Sequence, residues 1–218
     1  MVKDYDRTNF VRRYKLYAAC LKDKEDISTD NMRQYVYFLN GYAYATNGAI
    51  LVRVPLDLCT TFQPSDIIKF NGFRIHYSVL KLLTQSFDNI RVVEDFEVFD
   101  DNGKLLNEDG DPERRLHLIS ERKGNRIIVI LKPAKEVPNF ESILELDQDR
   151  QPIMSLGVRV KYLGDIADAI GCSSIKMRFT QANNKVYVEE IDRDPGMPYG
   201  LGVIMPIIVN PSLPGFDD

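Results

Sequence analysis

The side chains able to do chemistry are few and scattered. The two histidines, His76 and His117, stand in segments that read as regular structure, with no catalytic or metal-binding motif around them. The three cysteines, Cys20, Cys59 and Cys172, are far apart and lie among apolar neighbours. That usage fits buried thiols and not a disulfide framework or a Cys-x-x-Cys metal site. Gly200 and Gly202 form a Gly-x-Gly, but position 205 is Met, so the dinucleotide fingerprint fails. Asp100, Asn102 and Gly103 follow the order of a Ca²⁺ loop. Its first ligand would then be Val98 and its twelfth Asp109, so solvated carboxylates are the better reading. No Gly-x-Ser-x-Gly or His-Glu-x-x-His occurs. The chain reads as a non-enzyme with no cofactor and no metal.

The totals agree with a binding protein. In 218 residues, 44% are hydrophobic and 28% charged, enough to bury a core. The net charge of −4 excludes coating of nucleic acid by bulk positive charge and leaves room for a local basic stripe. No apolar run reaches the roughly 20 residues that span a bilayer. The start, Met1-Val2-Lys3-Asp4-Tyr5-Asp6, has no signal-peptide core, so a cytoplasmic location away from membranes is expected.

The elements read as one plan used repeatedly. Residues 8–24 suggest a helix, with Phe10, Tyr14, Tyr17, Ala18 and Leu21 on one face and Arg12, Lys15 and Lys22 on another. Three short strands follow, 35–39, 42–46 and 50–55, separated by Asn40-Gly41 and Asn47-Gly48. Asn-Gly between apolar runs signals type I′ hairpins, which make a tight meander. The second pass has a strand at 66–70, a helix at 77–87 and strands at 90–99, 116–120 and 126–131, with an acidic loop over 100–113. The third has strands at 142–146 and 155–160 and a helix at 161–170 capped by Gly171. Strands at 175–180, 185–191 and 202–209 complete it. The fold class expected is α+β, built from repeated helix-plus-antiparallel-strand units. The domains expected are 1–138, a complete unit pair, and 139–211, a half, followed by a flexible tail at 212–218.

Four stretches, in order, resemble bacterial DNA sliding clamps. Tyr44-Ala45-Thr46-Asn47-Gly48 resembles the Ala-Thr-Asp-Gly turn of the clamp's middle domain. Ile67-Ile68 with Leu80-Lys81-Leu82-Leu83 resembles the next strand and helix. Val137-Pro138-Asn139-Phe140-Glu141-Ser142-Ile143 resembles the linker into the last domain, and Val203-Ile204-Met205-Pro206-Ile207 the clamp's terminal strand. The resemblance spans one and a half clamp domains and implies a DNA-clamp-like fold. It implies a scaffold for DNA replication or repair, a processivity factor that binds DNA and short peptides of replication or repair proteins. The alternative is a monomeric adaptor that kept the peptide groove without encircling DNA. A partial clamp also leaves sheet edges open, which raises self-association of the chain.

By the same resemblance, the peptide groove would comprise Thr46, Gly48, Ala49, Ile50, Leu51, Pro138, Ser142, Ile143, Val203, Met205, Pro206 and Ile207. Where the family turn continues His-Arg-Leu, this chain has Ala49-Ile50-Leu51, so the polar rim differs. Clamp helices face duplex phosphates, and phosphate contacts need cations at no particular sequence. The expected DNA-facing residues are Arg12, Arg13, Lys15, Lys22, Arg74 and Lys81, against Asp165 and Asp168, which would repel phosphate. The tail's Leu213 and Phe216 loosely match the apolar anchors of clamp-binding peptides.

Overall fold

The computed structural model describes residues 14–22, 31–57, 64–86, 90–97, 113–122, 125–134, 136–145, 158–179, 185–191 and 199–205. Arg12, Arg13, Cys59, the acidic loop from 98 to 112, Pro206, Ile207 and the tail lie outside these residues.

Ten strands make one antiparallel sheet among the described residues. They are β1 (Tyr35–Leu39), β2 (Tyr42–Thr46), β3 (Ile50–Pro55), β4 (Phe73–His76), β5 (Ile90–Glu97), β6 (Glu113–Arg122), β7 (Asn125–Pro133), β8 (Ile175–Phe179), β9 (Val186–Glu190) and β10 (Leu201–Ile204). The order across the sheet is β5-β6-β7-β4-β1-β2-β3-β10-β9-β8. Three sequential meanders thus lie side by side, two of them joined through β4 and the last by β3 against β10. The helices are α1 (Pro64–Lys69), α2 (Tyr77–Ser86), α3 (Phe140–Leu144) and α4 (Val160–Ile170). Mixed helix and antiparallel strand is the α+β arrangement expected.

Strand alternation sends successive side chains to opposite faces. Val36, Phe38, Ala43, Ala45, Ile50, Val52, Val54, Val186, Val188 and Ile204 enter the larger core with Leu80 and Leu83 of α2 and Ile166, Ala169 and Ile170 of α4. Tyr37, Tyr44, Leu51, Tyr187, Leu201 and Val203 point the other way, where Phe140 and Leu144 of α3 cover them. Burial on both faces explains why these strands read as nearly continuous apolar runs.

The Asn40-Gly41 turn is as expected. Both residues have positive φ, 49° and 81°, and Leu39 pairs with Tyr42. The second hairpin differs. Thr46 pairs with Leu51, so the two central residues are Gly48-Ala49, with φ +91° at Gly48 alone. That is the φ pattern of a type II′ turn, whose first central position takes Gly. Asn47 instead shapes the loop through its side chain, whose Oδ1 accepts from Ala49 N at 2.9 Å and Ile50 N at 3.0 Å.

Four expected elements are corrected. Of the strand expected over 155–160, the described residues 158–160 form no strand, and Val160 opens α4. Residues 66–70, expected as a strand, belong to α1 and its end: Pro64 opens the helix, where its fixed φ suits the first turn, and Gly72 at φ +84° turns the chain into β4. Residues 142–146, also expected as a strand, fall largely in α3. Asn139 caps α3, its side chain accepting from Ser142 N at 3.3 Å. The expected helix over 8–24 is, among the described residues, only a 3-10 turn at Leu16–Ala18. Its backbone donors go elsewhere: Lys15 N to Asp168 O at 3.2 Å and Leu21 N to Arg33 O at 2.9 Å. Tyr14, Leu16, Ala18, Ala19 and Cys20 are all buried, so tertiary packing buries this segment on more than the one stripe that an α-helix would offer. By contrast α4 matches its expected bounds within a residue, and Gly171 ends it at φ +71°.

The two described thiols are shielded. Burial pushes Cys20 up to about 12, and burial, then the Glu190 charge, pushes Cys172 up to about 11. At pH 8 a thiol near 11 holds roughly a hundredfold less thiolate than a free one. Iodoacetamide on the folded chain at pH 8 is therefore expected to label Cys172 about tenfold more slowly than free cysteine, because the more basic thiolate regains part of the loss. Cys20 is expected to react only after denaturation. Fast native labelling of Cys20, followed by peptide mass mapping, would contradict this burial.

Candidate functional site

The face of the sheet opposite α2 and α4 carries a tyrosine floor with a short helix set on it. Tyr37 on β1 pairs with Tyr44 on β2, Tyr44 with Arg53 on β3, and Arg53 with Leu201 on β10. One step along the strands, Leu51 pairs with Val203, and Val203 with Tyr187. Both sets lie on the same face because they differ by two residues along each strand.

Helix α3 is held there by stacking and by polar clasps. The Phe140 ring stacks on Tyr44, centroids 5.1 Å apart and planes 11° from parallel, and meets Tyr37 edge-on at 5.5 Å. The Glu141 carboxylate accepts from the Tyr44 hydroxyl and, at 2.9 Å, from Arg53 Nη1. Burial, reinforced by that carboxylate, pushes the Tyr44 phenol well above its ordinary value, so it stays a donor throughout the neutral range. Tyr187 Oη donates to Glu145 O at 2.6 Å, and Lys185 Nζ to Ile143 O at 3.2 Å. These bonds satisfy carbonyls at the end of α3, which a five-residue helix cannot satisfy itself.

At one end of this face apolar side chains remain in water. Ile143 on α3 is 39% exposed and Met205 44%, while Leu51 and Val203 of that face are buried. Met205 N donates to Ala49 O at 2.9 Å, which ties the segment after β10 to the β2–β3 turn. The turn itself is fixed by Thr46, whose hydroxyl donates to Ile50 O at 2.7 Å and accepts from Gly48 N at 3.0 Å.

Of the expected groove residues, Thr46, Ala49, Leu51, Val203 and Met205 come together here, with Ile143 bonded through its carbonyl to Lys185, which precedes β9. Pro138 and Ser142 sit at the entry and first turn of α3. Gly48 is exposed but lies under the Arg33 guanidinium. Ile50 is corrected out of the site: alternation turns it into the core on the helix-covered face.

The expected DNA-facing set is dispersed. Lys15 Nζ is 3.0 Å from Asp168 Oδ1, and that hydrogen bond, then the Asp168 charge, raises the Lys15 pKa. Its charge is thus already compensated by the acidic face of α4. Arg74 belongs to β4, not a helix, and its guanidinium lies 4.3 Å from the Tyr35 ring centroid on the tyrosine-bearing face. Lys22 and Lys81 are exposed.

Sequence reasoning missed the tyrosine floor, Arg33 and Lys185. The floor had a signal in the spacing of Tyr35 with Tyr37 and Tyr42 with Tyr44, one face of two paired strands. Arg33 had none, because its neighbour Gly48 is distant in sequence.

Among the described residues no three His, Cys, Asp or Glu side chains gather as a metal site, and no helix is long and apolar enough to cross a membrane. Compared with known proteins, the chain matches no protein-family model and no curated protein.

Proposed function

We propose that this chain is a clamp-like scaffold that holds short peptide segments of partner proteins beside α3. One observation carries the reading. Three stretches that resemble the sliding-clamp peptide cleft, around Thr46–Leu51, Pro138–Ile143 and Val203–Met205, converge on one face. They leave Ile143 and Met205 exposed, while Leu51 and Val203 of that face are buried. An apolar strip with backbone groups at its rim is the chemistry that anchors a short peptide, and a flexible methionine suits varied anchors. The element order supports the clamp-like plan: β4, α2 and the β5–β7 meander make one lead strand, helix and three strands, and α4 with β8–β10 repeats the last four.

The reading favours the adaptor form over DNA encirclement. Lys15 is paired with Asp168, and Arg74 lies on the opposite face from α2 and α4. The partners that fit the resemblance are replication or repair proteins.

The test is selection of random dodecapeptides displayed on phage against the folded full chain, repeated with Met205→Glu and Ile143→Asp. Both positions are exposed, and surface substitutions there are expected to leave stability within about 0.5 kcal/mol. The reading predicts peptides with an aliphatic or aromatic pair that lose at least about tenfold in affinity on either variant, as an anchor contact should. Selected peptides that bind both variants as well as the wild type would refute it.

A further inference from the structure

We infer that Arg33 makes this face selective for peptides that carry a carboxylate next to their apolar anchors. The inference rests on the peptide-binding reading above and adds the chemistry of the partner. The guanidinium of Arg33 lies beside Gly48. A Cβ built on Gly48 would stand 3.1 Å from Arg33 Cζ and 3.2 Å from both Nε and Nη1. A side chain at this position would push the guanidinium outward by a few tenths of an ångström, and φ +91° itself favours glycine.

The main chain of Arg33 is itself fixed from both sides. Its N–H donates to Asn31 Oδ1 at 3.1 Å, capping the 3-10 turn Met32–Gln34, and its carbonyl accepts from Leu21 N at 2.9 Å. The side chain is nevertheless exposed. A cation is thus parked one residue from Ala49, whose carbonyl holds Met205. On the other flank, the pairing of Ile204 with Val186 sets Met205 opposite Lys185. Met205 is thus linked through Ala49 to the turn beside Arg33 on one flank and faces Lys185, whose ammonium bonds Ile143 O, on the other.

Among the described residues, Glu141 is engaged by Tyr44 and Arg53, and Glu145 is exposed at the far end of α3. A planar guanidinium matches a carboxylate through two parallel hydrogen bonds, and charge of one sign at a rim selects partners more than it adds affinity. An Asp or Glu side chain, or a C-terminal carboxyl, beside the residue seated on Met205 is the group that fits.

The dodecapeptide selection tests this with Arg33→Ala and Arg33→Glu. Wild type is expected to enrich Asp or Glu adjacent to the anchors. Arg33→Ala should weaken the best acidic peptide about two- to fivefold, the range of an exposed ion pair, and leave its Asn counterpart unchanged. Arg33→Glu should move the enriched residue to Lys or Arg. Peptides that depend on Met205 but show no acidic preference, or keep it in Arg33→Glu, would overturn the inference while leaving the binding face intact. Peptides indifferent to both Met205 and Ile143 would overturn the two together.

Discussion

Gly202→Ala is expected to lower the thermal midpoint by about 2–12 °C, from an overpacking cost of about 1–3 kcal/mol in a domain of this size. A Cβ on Gly202 would come 2.5 Å from Ile166 Cγ2 and 3.0 Å from its Cδ1. Gly200 faces the same helix, with 2.8 Å to Ile170 Cβ. Ile166 and Ile170 are four apart on α4, so they share one face and press on β10 at two points. The Gly-x-Gly that fails as a nucleotide fingerprint is therefore a seat for α4. The seat has a functional side, because Leu201 and Val203 alternate with these glycines and form part of the tyrosine-lined face. Ile166→Ala alone should cost about 2–5 kcal/mol through a cavity. Combined with Gly202→Ala it should cost less than the sum, since the new methyl then enters the space that was cleared. Thermal and urea unfolding of the single and double variants measure this. A neutral Gly202→Ala, or strict additivity, would refute the close approach.

Phe140→Ala is expected to release α3 from the sheet and abolish peptide binding, by more than about tenfold. Phe140 is almost wholly buried between Tyr37 and Tyr44, and removing such a ring costs about 3–5 kcal/mol when the neighbours cannot collapse. A helix of five residues has no stability of its own. The segment should therefore undock while the larger core, which contains no α3 residue, stays folded. Hydrogen exchange should show faster exchange at residues 140–145, with β1–β3 still protected. Glu141→Gln should do much less, because the Arg53–Glu141 pair is half exposed on the acid side and such pairs contribute at most about 1 kcal/mol. Unchanged exchange at 140–145 in Phe140→Ala would show that the aromatic stack does not hold α3.

Local chemistry alone set much of this architecture. The Asn40-Gly41 hairpin, the amphipathic helices near 77–86 and 160–170 and the Gly171 cap each depend on neighbours within a few residues, and turn preference and periodicity carry that information. Short apolar runs are ambiguous by the same physics. Ile67-Ile68 and Ser142–Leu144 read as strands, though Pro64 and Asn139 were available as helix-start signals. Alternation in β1–β3 determined that Tyr37 and Tyr44 oppose Val36 and Ala45, but not which set would meet α2 and α4 and which α3. Tertiary structure decided that, along with the β3–β10 pairing, the Lys15–Asp168 pair and the placing of Arg33 on Gly48. Each joins residues far apart in the chain, and the closure entropy of such a contact is offset only by the packing of the whole sheet, which no local window contains.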